Sequence, residues 1–377
     1  MNGQDALDRL RAAYDDRLGE ARARKTAESR LIGYCLNSVP VELILAAGGD
    51  PIRLAGDPGR SVAIADRYME EYFDGEVRAL FSALVEGDYA MLDLLVVPRS
   101  SEIYLQLYYF LREMATWEPA AKLPQLHLFD LLQTPHWTTA KYDLGRLHAL
   151  AERLGGVDDD RLRAGIETTN RLRTLLMQAS LLWHKRPRRL SGVDALKVIG
   201  ATSILSPAEA IAVLEALVAD PPPPLADTAP RLLLKGSPQS DARVTELIEG
   251  CGASIVAHDH VAGDRTYTTT VLTEGDPWEA LVQHYQREIP GPRAYPQARE
   301  DAAFMALAEQ AEVDGVIFFH DEWDDTLGWE YPDQKALLDA RGIPSLFLKR
   351  QPYHSPPVAE QRAAVTGFLD ILAKVPA

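Results

Sequence analysis

The run His320-Asp321-Glu322-Trp323-Asp324-Asp325 gathers four carboxylates and an imidazole within six residues. Carboxylate oxygens are hard donors suited to Mg²⁺, Ca²⁺ or Mn²⁺, and a carboxyl pair can instead move a proton as general acid and base. The plain alternative is that loop carboxylates are solvated or cap the next helix. A second candidate is Asn37-Ser38-Val39-Pro40-Val41-Glu42, where polar residues precede a proline and an acid follows in the first turn, the pattern of a helix start. Such an N-terminus either meets a carbonyl or phosphate, or Asn37 or Ser38 simply caps it. Cys35, beside a predicted strand, reads first as a small buried apolar side chain and second as a ligand. The basic cluster Lys185-Arg186-Pro187-Arg188-Arg189 reads as a solvated helix end, or as a contact for an acidic partner. No Walker lysine motif, Gly-x-Gly-x-x-Gly after a strand, Gly-x-Ser-x-Gly elbow or zinc-spaced histidine pair is present, so ATP, dinucleotide, serine-hydrolase and zinc chemistry have no sequence support.

These residues need a scaffold, and the hydrophobic pattern supplies one. Residues 4–30 place Leu7, Leu10, Tyr14, Leu18 and Ala21 at helical spacing, predicting one amphipathic helix lying on the first domain. Short apolar runs at Leu31–Leu36, Pro51–Leu54, Leu92–Val97 and Leu126–Leu131 alternate with helical patterns, which favours a parallel sheet covered on both faces. Residues 137–219 lose strand character and predict helices at Tyr142–Leu154 and Arg161–Trp183, with another opened by Ser206-Pro207. The stiff Asp220-Pro221-Pro222-Pro223-Pro224 run is the boundary. Strands are expected again at Arg231–Lys235, Ala253–Ala257, Val313–His320 and Ser345–Lys349, with a helix at Asp241–Glu249 and a closing one from Val358. The expected α/β architecture is two doubly wound, flavodoxin- or Rossmann-like parallel-sheet lobes, residues 31–136 and 230–377, with an N-terminal helix (1–30) and a helical segment (137–220) between them. The lobes could be distant duplicates. Ligands in such sheets sit beyond the carboxyl ends of the strands, where Cys35–Pro40, Pro98–Ser101 and His320–Asp324 all fall.

A chain of 377 residues, 46% hydrophobic, is long enough for two or three compact domains. No apolar stretch is long enough for a membrane span, and the polar, acidic start lacks the pattern of a secretion signal, so a cytoplasmic location is expected. The two cysteines fall in different predicted domains and should be reduced thiols. A net charge of −16 argues against nucleic acid, which needs a basic face.

Taken in order, Ile32-Gly33-Tyr34-Cys35-Leu36-Asn37-Ser38-Val39-Pro40-Val41-Glu42-Leu43, Ala46-Ala47-Gly48-Gly49-Asp50-Pro51-Ile52-Arg53-Leu54, Gly87-Asp88-Tyr89, Leu92-Asp93-Leu94-Leu95-Val96-Val97-Pro98, Thr134-Pro135-His136, Ser191-Gly192-Val193-Asp194-Ala195, Val313-Asp314-Gly315-Val316-Ile317 and Gly342-Ile343-Pro344-Ser345-Leu346 make the chain resemble 2-hydroxyacyl-CoA dehydratase and benzoyl-CoA reductase subunits over nearly its whole length. The resemblance implies a [4Fe-4S] cluster on three cysteines, with one iron open toward an acyl-CoA thioester and electrons delivered by an ATP-dependent activator. The three ligand positions fall on Asp74 in Tyr72-Phe73-Asp74-Gly75-Glu76-Val77-Arg78, Ser101 in Pro98-Arg99-Ser100-Ser101-Glu102, and Asp324, so none is a thiolate. The resemblance also makes Cys35, Asn37, Ser38, Pro40 and Glu42 the loop bordering the acyl pocket, with Ser38 the hydrogen-bonding candidate. It turns Arg265, in Gly263-Asp264-Arg265-Thr266-Tyr267, toward the cleft, as a contact for a CoA phosphate or as an ordinary surface salt bridge. In Arg287-Glu288-Ile289-Pro290-Gly291-Pro292, Gly291 stands where many relatives carry a further cysteine.

Thiolates suit iron–sulfur clusters and hard oxygens do not, so no cluster is expected in this chain alone. Three readings stay open. The chain is the cluster-free subunit of a heterodimer whose homologous sister carries the [4Fe-4S] cluster, a homodimer being the other assembly expected. Alternatively it is a repurposed enzyme with Asp74, Asp324 and His320 holding a divalent metal, or with Ser38, Asp74 and Asp324 in proton transfer. Or it binds an acyl-CoA or another protein and catalyses nothing.

Overall fold

The computed structural model describes residues 1–226, 228–289 and 296–374. Gly291 and its flanking prolines lie outside the described residues. Two four-stranded sheets, all parallel, form the frame. The first contains β1 (Leu31–Cys35), β2 (Asp50–Leu54), β3 (Leu94–Pro98) and β4 (Gln125–Phe129) in the order β2-β1-β3-β4. The second contains β5 (Arg231–Gly236), β6 (Ser254–Asp259), β7 (Gly315–Asp321) and β8 (Ser345–Gln351) in the order β6-β5-β7-β8. The α/β expectation of two parallel-sheet lobes holds, and the orders are the same.

Apolar runs become central strands because both faces are covered. Side chains alternate between faces: Leu31, Cys35, Leu95 and Val97 enter one core of the first lobe, and Ile32, Tyr34, Leu94 and Val96 enter the other. Leu232, Leu234, Ile317 and Phe319 are separated in the same way from Leu233, Val316 and Phe318. The lobes repeat individual bonds as well. Asp93 ahead of β3 accepts from the Leu31 N–H at 2.7 Å, and Asp314 ahead of β7 accepts from the Arg231 N–H at 2.8 Å. Each aspartate thereby ties the two middle strands of its sheet together at their entry. At the exits, Leu36 just after β1 and Gly236, the last residue of β5, both have positive φ, +57° and +138°. A Cβ on Gly236 would stand 2.0 Å from the Phe319 carbonyl oxygen, so only glycine fits there.

One expectation is corrected. The N-terminal segment is two helices, Gly3–Asp15 and Arg17–Arg24, broken at Asp16, whose side chain caps the second through the Gly19 N–H. The first packs on helices Gly192–Ala201 and Pro207–Ala219, with Arg11 paired to Asp194 and Arg9 to Glu209. Its stripe of Ala6, Leu7, Leu10, Ala13 and Tyr14 therefore joins a core built as much from the helical segment as from the first sheet. The helical segment touches both lobes. Helix Trp137–Arg153 packs beside β4, and the long helix Asp159–His184 lies against the first lobe at helix Val41–Ala46 and against β6 of the second. The bridge is fixed by Glu42, fully buried, which accepts from Arg173 at 2.7 Å, Thr169 at 3.0 Å and Tyr285 at 2.8 Å.

Candidate functional site

The strand order reverses between β1 and β3 and between β5 and β7, so each lobe opens a crevice beyond these carboxyl ends. The crevices face each other across a cavity of 210 Å³. Leu36, Asp74, Ser101, Ile103 and Tyr104 line it from the first lobe, and Lys235, Asp259, His260, Arg265, Trp323, Asp324 and Leu327 from the second. At its edge Trp323 meets Tyr72 of the opposite lobe, ring edge to face at 6.3 Å.

Asp74, Ser101 and Asp324 thus converge, although they come from three widely separated parts of the chain. Each is the N-cap of a helix: Asp74 accepts from Val77 N–H at 3.0 Å, Ser101 from Tyr104 N–H at 3.5 Å and Asp324 from Leu327 N–H at 3.2 Å. Asp, Ser and Asp are good capping residues, which explains locally why the helices begin where they do. The other carboxylate oxygen of Asp324 accepts from Ser237 at 2.7 Å, and Ser237 in turn accepts from the Asp321 N–H. Ser101 and Asp324 occupy equivalent places, each opening the helix after the third strand of its lobe. Burial, together with the charge of Asp324, pushes the Asp74 carboxyl up to about 6. Glu76 is pushed up to about 7 by burial and then by Asp74, and Asp321 rises well above the ordinary range for the same two kinds of reason. Asp74 can therefore hold or release a proton near neutral pH.

A second charged group forms the opposite wall. Lys235 donates to Asp259 at 2.8 Å, Arg265 to Asp259 at 2.6 Å and to Glu300 at 3.1 Å, all four side chains being buried. Burial alone would raise the Asp259 carboxyl, but Arg265 and Lys235 overcome it and hold the group far below its usual range. The surface salt bridge expected of Arg265 is thus an internal network that faces the cavity. Sequence reasoning misses Lys235, Asp259, His260 and Glu300. The available signal is the position of Lys235 and Asp259, charges at the carboxyl ends of two parallel strands with apolar middles.

Other candidates stand elsewhere. Neither Asn37 nor Ser38 caps the following helix, because the cap position falls on Pro40, which has no side-chain acceptor. The Asn37 Nδ2 and Ser38 Oγ atoms are buried without partners, and of this loop only Leu36 reaches the cavity. Glu42 is committed to its network with Arg173, and Cys35 is a core side chain whose thiol burial pushes upward. His320 is buried edge-on to Phe347 at 4.8 Å, and burial lowers it to about 4. Among the described residues no group of three His, Cys, Asp or Glu side chains has the geometry to hold a metal ion. Three oxygen caps without a thiolate do not fit a [4Fe-4S] cluster either, and Cys35 and Cys251 lie away from them, in the core and beside the second sheet. No helix among the described residues is long and apolar enough to cross a membrane.

The family profile for the 2-hydroxyglutaryl-CoA dehydratase D-component matches residues 37–372. A benzoyl-CoA reductase subunit of Thauera aromatica is 25% identical over 369 residues, covering 93% of both chains. The (R)-phenyllactyl-CoA dehydratase beta subunit of Clostridium sporogenes is 20% identical over 329 residues, 85% of this chain and 86% of that one.

Proposed function

Because the chain belongs to the 2-hydroxyglutaryl-CoA dehydratase D-component family, we propose that it is a subunit of an acyl-CoA dehydratase or reductase complex, acting in the cytoplasm as the cluster-free partner of a homologous subunit that carries the [4Fe-4S] centre. Both relatives are named as subunits of enzymes of CoA thioesters, and both align over most of their length. The observation that carries the reading is the state of the three converging caps. Asp74, Ser101 and Asp324, the positions to which the resemblance assigns the cluster ligands, offer only hard oxygens, each engaged with a helix N-terminus. A sister chain would supply the electron chemistry, and this chain contributes an interlobe cavity and a carboxyl group poised near neutral pH.

The raised Asp74 favours one alternative over the rest: a repurposed enzyme using Asp74 and Asp324 as acid and base needs no metal cage. Anaerobic purification of this chain alone and with a co-expressed homologue, followed by iron and sulfide analysis and the visible spectrum, tests the proposal. No iron alone and a cluster in a stable co-complex is the expected result. A cluster in the isolated chain overturns it, and failure of any co-complex to form turns the assignment toward the acid–base enzyme.

A further inference from the structure

The second lobe holds a cavity of its own. Between helices Arg243–Glu249 and Val358–Leu372, beyond the exits of β5, β7 and β8, lies a space of 270 Å³ lined wholly by that lobe, from Pro238 to Arg362. Gln239 and Gln361 line it, and each is only 5% exposed. The Gln239 amide nitrogen donates to the Ser237 carbonyl at 3.1 Å. The Gln361 nitrogen donates at 2.8 Å to the Gln351 Oε1 atom, and the Gln351 nitrogen is itself spent on the Lys349 carbonyl at 2.8 Å. A backbone carbonyl can only accept, so the orientation of all three amides is fixed. The Oε1 atoms of Gln239 and Gln361 are left without a donor among the described residues, and neither is sealed off by protein. Asp321, on the same wall, also accepts no side-chain hydrogen bond among the described residues, and its charged neighbours are acids, Asp74 and Asp324 first. The Tyr353 hydroxyl lacks a partner too, but it has no exposed surface. Arg243 is matched by Asp241 at 2.9 Å, and the exposed Glu246 and Arg362 cancel in charge. Acceptors that meet no donor are unfavourable unless water or a ligand supplies one. A primary ammonium brings three N–H donors and no acceptor, and it would add the countercharge that Asp321 lacks. We propose that this cavity binds a primary organic amine, its ammonium on Gln239, Gln361 and Asp321 and its apolar stem against Val244, Leu247 and Phe319. A cavity of ~150 Å³ suffices for a benzene ring, so 270 Å³ takes a ring with a short aminoalkyl arm.

The site lies within the second lobe of this chain and stands or falls whether or not a sister subunit exists. The test is isothermal titration of the full chain at neutral pH with phenethylamine, phenethyl alcohol and hydrocinnamate, probes of similar shape and three charges. Phenethylamine is expected to bind once per chain with a Kd below about 1 mM, and the alcohol and the carboxylate at least about tenfold more weakly. Gln361→Leu removes one acceptor and should weaken the amine at least about tenfold. If Gln361→Leu does not fold, Val244→Trp fills the cavity from a half-buried position on its helix and should abolish binding. The alcohol binding as well as the amine would show that the site does not read charge and would overturn the assignment. Hydrocinnamate binding more tightly would overturn it by making Arg362 the centre of an anion site. Amine binding unchanged in Val244→Trp would overturn it as diffuse attraction to a chain of net charge −16. Absence of saturable amine binding would overturn it too, showing that the two glutamine oxygens are met by water only.

Discussion

Two groups of charge meet at the interlobe cavity, one fully buried and one half-buried except for Glu76, and they obey opposite rules. In the Lys235–Asp259–Arg265–Glu300 group every charge has an opposite neighbour within hydrogen-bond distance, and the central carboxyl is driven down. In the Asp74–Glu76–Asp321–Asp324 group acids face acids, and three of them are driven up, with helix N–H groups and Ser237 as the main local compensation. A compensated group holds structure, whereas an uncompensated one stores a proton.

The sharpest way to break this contrast is Arg265→Ala. It strands Asp259 and Glu300 as buried charges, and removal of one partner from such a network typically costs about 3–5 kcal/mol. A urea midpoint close to the wild-type value would mean that water reaches the network and that the two groups do not differ. Next in size is the pH response. Asp74 and Glu76 titrate above the ordinary carboxylate value in the folded state, so folding takes up protons between roughly pH 4 and 7. Their contribution to stability is full below about 4 and is lost as pH rises through 6 to 7. Asp259 is depressed and contributes in the opposite sense, its stabilisation being present above the ordinary carboxylate value and lost only in acid. Thermal unfolding followed from pH 5 to 8 should therefore show a decline that Glu76→Gln flattens, and a curve unchanged in Glu76→Gln would refute the assignment. Smaller still is Asp324→Ala, expected to lose about 1 kcal/mol of capping. Asp324→Asn keeps an acceptor and removes a repelling charge, so it should match or exceed wild-type stability at pH 8; equal losses in both variants would mean the repulsion is negligible. Least is Ser101→Ala, with a loss of about a few tenths of a kcal/mol on chemical denaturation, since its 3.5 Å cap bond is long.

All eight strands are legible as apolar runs, to within two or three residues at each end, because parallel strands covered on both faces need such runs. The placement of Pro98–Ser101 and His320–Asp324 at strand exits is legible for the same reason. What the sequence conceals depends on packing over long separations. Periodicity lays Gly3–Asp15 on the first lobe, but its partners lie near residue 200, since a repeat shows that a face is apolar without showing what covers it. Pro40 suits a first helical position, which points to Asn37 or Ser38 as the cap after β1; the helix begins one residue later, and Pro40 takes the cap. Arg265 reads as a surface residue, since a lone arginine in a loop carries no sign of Asp259 and Glu300, six and thirty-five residues away.

Tyr72 and Trp323 are both substantially exposed, and they meet from opposite lobes at the rim of the cavity. That contact makes the molecule its own optical gauge. Widening the cleft would separate the rings and change the polarity around an indole whose emission can be isolated by comparing wild type with Trp323→Phe. Opening and closing could then be timed in solution without an attached dye.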